Sequence, residues 1–359
     1  MVYYLKLLLW PFALLYGEIM SLRNLLYNKG VLPSSKFDLP IIAVGNLTVG
    51  GTGKTPHVEY LLRLLSKYRL ATLSRGYKRK TKGFVLADQH ATALSLGDEP
   101  FQYHLDFPDI TVTVCEDRVE GVNQLLSIEL NLDVIILDDA MQHRPIQPSL
   151  NLLITDYNRP FYKDLVMPAG LLREPANGAA RADSIIVSKC PVNLSEAERK
   201  KIIEQINKHT SHRTPVFFTA YRYGAPVRIG GNKPFSLNII LLSGIANDAP
   251  LKQYLTEQGG QVLKHFNFPD HHHYTLQDVL KAENAMYTAT PDDTVIVTTR
   301  KDAVKLLDRS LHEKVRQLPI FYIPIEVYFL NESHQFDQLI LQHVEKFKAE
   351  LPADMGTLT

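Results

Sequence analysis

Between Val44 and Pro56 the chain reads VGNLTVGGTGKTP, an apolar run that turns through Gly50, Gly51 and Gly53 into Lys54, Thr55 and a helical pattern. Glycines placed there let successive backbone N–H groups curl around an anion. The start of the following helix adds its positive end, and a lysine supplies a point charge. Thr55 stands where a hydroxyl can ligate Mg²⁺. The common pattern G-x-x-x-x-G-K-[ST] puts glycine where this chain has Thr48. The strand–loop–helix setting is untouched by that departure. Thr48, Val49, Gly50, Gly51, Thr52, Gly53, Lys54 and Thr55 therefore read as a cradle for nucleotide phosphates. G-x-G-x-x-G is absent, which disfavours a dinucleotide fold.

A phosphate loop of this kind needs an acidic strand end to hold its metal. DVIILDDA, residues 133–140, supplies one in Asp138 and Asp139. On its own such a strand end would read as a turn; beside the loop it reads as the Mg²⁺ site. Strand-like apolar runs at 39–46, 70–73, 110–115, 133–137, 152–155 and 184–188 alternate with helical patterns at 56–68, 118–130 and 195–209. Short continuous runs of Ile and Val indicate strands covered on both faces, and the alternation indicates a parallel sheet. A second set follows, with strands at 215–221, 238–247, 261–268, 294–299 and 321–327. Helices start there at Pro250 and Thr275, and a long one covers 334–351. Residues 158–181 break the rhythm with three prolines and two glycines, a functional loop or an ordinary surface excursion.

The chain has 359 residues, enough for two domains of ordinary size. The turn-rich stretch at 213–236 marks the division, giving a helix at 1–27, a phosphate-loop domain at 28–215 and a smaller α/β domain at 216–359. With 45% hydrophobic and 21% charged residues the chain folds as a globular protein. A net charge of +1 gives no global field for nucleic acid. Cys115 and Cys190, far apart, form neither a disulfide framework nor a zinc pattern, which suits a reducing compartment. Residues 7–17, LLLWPFALLYG, fall short of the ~20 that span a bilayer. Lys6, Arg23, Lys29 and Lys36 face the single acid Glu18, and Trp10 sits among Tyr3, Tyr4, Phe12 and Tyr16. That composition fits a helix lying in the membrane interface, or one packed on its own domain. A signal peptide is disfavoured because no small-residue cleavage site follows.

Further motifs occur in order: SRGY (74–77), GDEP (97–100), Gln142-His143 after the acidic strand, MPAGLLREP (167–175), RAD (181–183), PDHHHYT (269–275) and TTRKDAVKL (298–306). With the phosphate loop they make the chain similar to the tetraacyldisaccharide 4′-kinase family, the lipid A 4′-kinases of Gram-negative bacteria. Ala140-Met141 stands where that family usually reads Gly-Phe, a change of local packing more than of chemistry. The glycine pair at 50 and 51 also resembles the deviant phosphate loops of dimeric partitioning and iron-protein ATPases. Those carry a signature lysine where this chain has Val49, which argues against a nucleotide-sandwich dimer.

The kinase resemblance implies a phosphate-loop NTPase fold, a mostly parallel sheet flanked by helices, with a second, smaller α/β domain closing over the nucleotide. It implies transfer of the ATP γ-phosphate, with Mg²⁺, to the 4′-hydroxyl of tetraacyldisaccharide 1-phosphate. It also implies a peripheral protein on the cytoplasmic face of the inner membrane, whose N-terminal helix touches the bilayer. Nucleic acid is not expected, and no obligate protein partner is evident. Carried over residue by residue, Lys54 and Asp98 become catalytic, Asp98 as the base, with Glu99 on the metal side. Without the family, Asp98-Glu99 after Gly97 reads as a helix cap. His271 resembles the family histidine that pairs with that aspartate; consecutive His271, His272 and His273 suit a shared metal poorly, and the last two are expected to be exposed. RGYKRKTK, residues 75–82, holds five bases, by default a solvated loop. Here Arg75 and Lys78 are candidates for the substrate phosphate or lipid headgroups, and Arg118 and Arg173 for substrate or γ-phosphate, with structural salt bridges as the alternative. Two other functions share parts of the pattern: a soluble small-metabolite kinase and a nucleotide-dependent switch protein.

Overall fold

The computed structural model describes residues 2–128, 131–211, 214–289 and 293–350. The side chains of Tyr3, Tyr4 and Lys6, and residues 351–359 of the expected second domain, lie outside that description. The strands are β1 (Ile41–Gly45), β2 (Leu70–Ser74), β3 (Val85–Leu86), β4 (Thr111–Val114), β5 (Val134–Asp138), β6 (Leu150–Asp156), β7 (Ser184–Ser188), β8 (Val216–Tyr223), β9 (Val227–Arg228), β10 (Asn238–Ser243), β11 (Gln261–Asn267), β12 (Thr294–Thr299), β13 (Ile320–Ile323) and β14 (Ile325–Phe329). The helices are α1 (Val2–Asn28), α2 (Lys54–Leu64), α3 (Ala93–Leu96), α4 (Asp98–Asp106), α5 (Arg118–Ile128), α6 (Glu196–Asn207), α7 (Ala249–Glu257), α8 (Leu276–Thr288), α9 (Arg300–Leu306), α10 (His312–Gln317) and α11 (Ser333–Glu350).

A nine-stranded sheet has the order β14-β8-β7-β6-β1-β5-β2-β4-β3. Strands β8 through β4 in that order run parallel, and β14 and β3 close the two edges antiparallel. Every residue of β1, β5 and β7 is buried, as continuous apolar runs covered on both faces should be. Strand β1 lies between β6 and β5, with Ile42 opposite Leu150 and Ile136. The phosphate loop thus leaves the middle of the sheet at its carboxyl end, beside the acids of β5. The smaller sheet runs β11-β10-β12-β13-β9, parallel except for the edge strand β9.

The division expected at 215/216 falls elsewhere in the sheet topology. Strand β8 pairs with β7, burying Phe217 and Phe218, and the chain returns through β14 and α11 to the larger sheet. Phe336, Ile340 and Val344 of α11 join the core of Ile42, Val44, Val58 and Leu61. An amphipathic pattern shows which face of α11 is buried, but not which sheet it covers. The two units are joined by a double passage, β8 to β9 and β13 to β14. There Gly224 N–H donates to the Pro324 carbonyl at 2.9 Å, and a Cβ at Gly224 would sit 2.8 Å from Pro324 Cγ.

Helix α1 is apolar on its outer side. Leu8, Trp10, Phe12, Leu14, Leu15, Ile19, Leu22 and Leu25 are exposed, while Ala13 and Gly17 face inward. Among the described residues no helix is long and apolar enough to cross a membrane.

Candidate active site

Gly50 and Gly53 adopt φ of 106° and 98°, the left-handed region that glycine enters without a Cβ penalty. At Gly53 a Cβ would lie 2.1 Å from Tyr221 Oη and 2.8 Å from Ser188 Oγ, so the position also demands glycine for space. The loop is braced from several sides. Val49 N–H donates to Leu171 O at 2.8 Å and Arg173 N–H to Leu47 O at 2.7 Å, so residues 171–173 run alongside it like an added strand. The excursion at 158–181 is therefore the loop's companion. Arg159 donates to Val49 O at 3.0 Å; Lys189 donates to Gly51 O and also to Asp156, at 2.7 Å. Burial pushes His57 down to about 4, so its ring is neutral. It bridges Gly53 O, at 2.7 Å, to Thr219 Oγ1, at 3.0 Å.

The two aspartates ending β5 have different surroundings. Burial raises Asp138 to about 7, against the pull of Lys54. One of its oxygens accepts from Tyr103 Oη at 3.2 Å, and the other is buried without a partner. Asp139, at a φ of 52°, meets Lys54 at 3.4 Å and Arg173 Nη1 at 2.8 and 3.0 Å. Burial works to raise its carboxyl, but Lys54 and Arg173 outweigh it and hold it below the usual range. Tyr103 Oη also neighbours Thr55. A bare carboxylate oxygen near a threonine hydroxyl suits a hard cation that takes few protein ligands and completes its shell with phosphate and water. Among the described residues no group of three or more His, Cys, Asp and Glu could hold a metal ion.

Asp98 opens α4 behind Gly97, whose φ is 94°. It is 5% exposed, and its Oδ2 lies 3.0 Å from His271 Nδ1. Burial would raise this carboxyl; the His271 hydrogen bond and the charges of Lys305 and Lys301 hold it below its ordinary value. The pair spans the two units, since α4 belongs to the larger sheet and the His271 loop follows β11 of the smaller. Tyr77 sets its ring edgewise to His271, centroids 5.2 Å apart. Lys301 Nζ lies 3.3 Å from Glu99, 3.3 Å from Asp270 and 3.2 Å from His271 Nε2. Glu99, expected on the metal side, is thus matched to a lysine of the other unit. His272 is not simply exposed as expected: it stacks on Phe268 at 4.3 Å and meets Asp278 at 3.0 Å, the residue in the capping box of α8. His273 is exposed.

Of the basic candidates, Arg75 and Lys78 are exposed and free to reach a ligand. Arg118 is not: it is 3% exposed and donates to the carbonyls of Glu116, at 2.9 Å, and Asp139, at 3.3 Å, so it props the acidic strand end. Arg173 is likewise engaged with Asp139, the salt-bridge alternative. Several contributors escaped the sequence reading. Glu174, 1% exposed, gathers Arg181 at 2.7 Å, Gln142 at 2.9 Å and Asn24 at 2.6 Å. Tyr16 Oη donates to Arg173 O at 2.9 Å and Arg23 to Gln142 O at 3.2 Å. Helix α1 is therefore anchored on the companion of the phosphate loop. Met141 crowds Gly45, where a Cβ would be 2.6 Å from its own, which couples the Ala140-Met141 departure to a glycine in β1.

Residues 5–345 match the protein family described as Tetraacyldisaccharide-1-P 4′-kinase. The tetraacyldisaccharide 4′-kinase of Flavobacterium johnsoniae is 45% identical over 348 residues, 95% of this chain and 98% of that protein. Its namesake in Parabacteroides distasonis is 43% identical, with 94% of each covered. A crystal structure of LpxK from Aquifex aeolicus in complex with ATP superposes with a TM-score of 0.73 at 30% identity, covering 95% of this chain and 99% of the other.

Proposed function

The chain belongs to the tetraacyldisaccharide-1-P 4′-kinase family, and from that premise we propose how its residues divide the reaction. It is an ATP-dependent kinase of lipid A synthesis that phosphorylates the 4′-hydroxyl of tetraacyldisaccharide 1-phosphate. The phosphate loop from Thr48 to Thr55 holds the nucleotide through its backbone N–H groups, and Lys54 neutralises charge on the transferring phosphate. Mg²⁺, when bound, would be held by Thr55 and Asp138 and would neutralise phosphate charge. Asp139, clamped by Arg173, positions Lys54 rather than the metal. Asp98 accepts the proton of the 4′-hydroxyl, and His271, bonded to it through Nδ1, orients it. Arg75 and Lys78, exposed beside Tyr77, offer charge to the substrate's 1-phosphate.

One observation carries this reading: a single helix ties the base to the metal acid. Asp98 starts α4, and Tyr103 on the same helix bonds Asp138. The proton acceptor and the acid at the end of β5 are thereby held in one rigid frame. The test is γ-labelled ATP with tetraacyldisaccharide 1-phosphate in detergent micelles. Asp98→Ala should lower kcat by about 10²–10⁴-fold, the usual worth of general-base catalysis, while ATP binding persists. A near-normal rate would remove Asp98 from the chemistry.

The outer face of α1 supports attachment to a membrane surface, since eight of its large apolar side chains are exposed while Ala13, Gly17, Tyr16, Arg23 and Asn24 face the protein. A soluble metabolite kinase has no use for that inversion. Because the phosphate donor is ATP, we place the enzyme on the cytoplasmic face of the inner membrane, peripherally bound.

A further inference from the structure

We propose that Lys301 is a positioning residue of the transfer step, fixing His271 as its Nδ1–H tautomer and so aiming Asp98. An ammonium has three donors and no acceptor. At 3.2 Å from Lys301 Nζ, His271 Nε2 must be the acceptor, which leaves the ring proton on Nδ1, facing Asp98 at 3.0 Å. The other two donors of Lys301 meet Glu99 and Asp270, each at 3.3 Å, so its hydrogen-bonding capacity is spent within this cluster. Its side chain is 24% exposed, and the three contacts hold it over the imidazole.

The backbone places the lysine firmly. Thr299 caps α9, accepting from Asp302 N–H at 3.1 Å and donating to its carboxylate at 2.8 Å, which sets the turn carrying residue 301. Arg300, next to it, pairs with Asp106 at the far end of α4. Helix α9 thus grips α4 at both ends, and Lys301 joins Glu99 of one unit to Asp270 and His271 of the other. Asp270 supplies the competing state. Its Oδ2 lies 3.7 Å from His271 Nε2, so without the lysine it attracts a proton onto Nε2 and draws the ring away from Asp98. Lysine at 301 blocks that tautomer, because its ammonium can only donate to Nε2.

The inference rests on the Asp98–His271 reading, and the experiment separates the two. Measure kcat and KM for ATP of Lys301→Met, Lys301→Arg, His271→Ala and the Lys301→Met/His271→Ala double variant, with thermal melts to show each folds. Lys301→Met should lose about 10–10²-fold in kcat with KM for ATP little changed. Lys301→Arg should recover most of the rate, and adding Lys301→Met to His271→Ala should cost little more. In protein labelled with ¹⁵N-histidine, the His271 Nε2 resonance should be that of an unprotonated nitrogen in the wild type and move toward the protonated position in Lys301→Met. An unchanged rate for Lys301→Met, or a loss that multiplies fully with His271→Ala, overturns the role of Lys301. An unchanged rate for His271→Ala overturns the dyad beneath it.

Discussion

At the scale of single residues, the site is built from side chains whose surroundings set their charge. Lys54 faces Asp139 at 3.4 Å and opens α2, directly after the glycines of the phosphate loop. Lys54→Ala should cut transfer by about 10²–10³-fold with the fold intact, read from labelled lipid at saturating ATP. Near-normal turnover would refute the phosphate-loop assignment. Two buried groups flanking this site give a pH dependence of stability. Burial raises Glu59, on α2, to about 7 from 4.5, opposed by Arg63 and Gln102. A carboxyl with a raised folded pKa contributes fully below its unfolded value and loses that contribution as pH rises through 7. His57, lowered to about 4, behaves inversely: its stability is present above 6.5 and lost as pH falls toward 4. Stability should therefore peak in mildly acidic solution. Glu59→Gln should remove the alkaline decline, gaining on the order of 2–3 kcal/mol near pH 8.5 and little near pH 5, measurable by urea unfolding at both. A gain equal at both pH values would contradict the buried neutral Glu59. The phosphate loop and acidic strand were legible because their glycines, lysine and acids are adjacent in the chain. Lys301, Lys189 and Glu174 were not, because a charge at a helix start or loop looks the same whether solvated or paired across the fold.

At the scale of elements, three segments behave otherwise than their patterns alone suggest. The excursion at 158–181 is a structural companion of the phosphate loop, and only the pairing of Leu47 and Val49 with residues 171–173 reveals it. Strand β14 and helix α11 read as parts of a second domain because sequence order was the only guide; their packing on β8 and β1 is long-range. Helix α1 exposes large apolar side chains on one face and is tied through the other to Arg173 and Glu174. Removing residues 1–27 would strip Asn24 from Glu174 and Tyr16 from Arg173, confounding membrane binding with damage beside the phosphate loop. A cleaner test is Phe12→Glu with Leu15→Glu, both on the exposed side. The double variant should melt normally and keep its rate on micellar substrate, yet lose most of its cosedimentation with anionic vesicles. Undiminished cosedimentation would refute the interfacial helix.

At the scale of the whole molecule, the site exists only where the two units meet. The nucleotide cradle, Asp138 and Asp98 belong to the larger sheet; His271 and Lys301 arrive from the smaller. Only the double passage at Gly224 and Pro324 joins the units covalently, so moving them apart would break the dyad and the Lys301–Glu99 pair together. With the roles proposed above, such a split makes proton acceptance depend on the contact between the units. The most direct measurement of this account is kcat of lipid phosphorylation for Asp98→Ala, His271→Ala and the double variant, with ATP affinity measured in parallel. Each single change should lower kcat by about 10²–10⁴-fold without loss of ATP binding, and the double should be little worse than the poorer single. Fully multiplicative losses, or a normal rate without His271, would contradict a proton-accepting pair assembled across the two units.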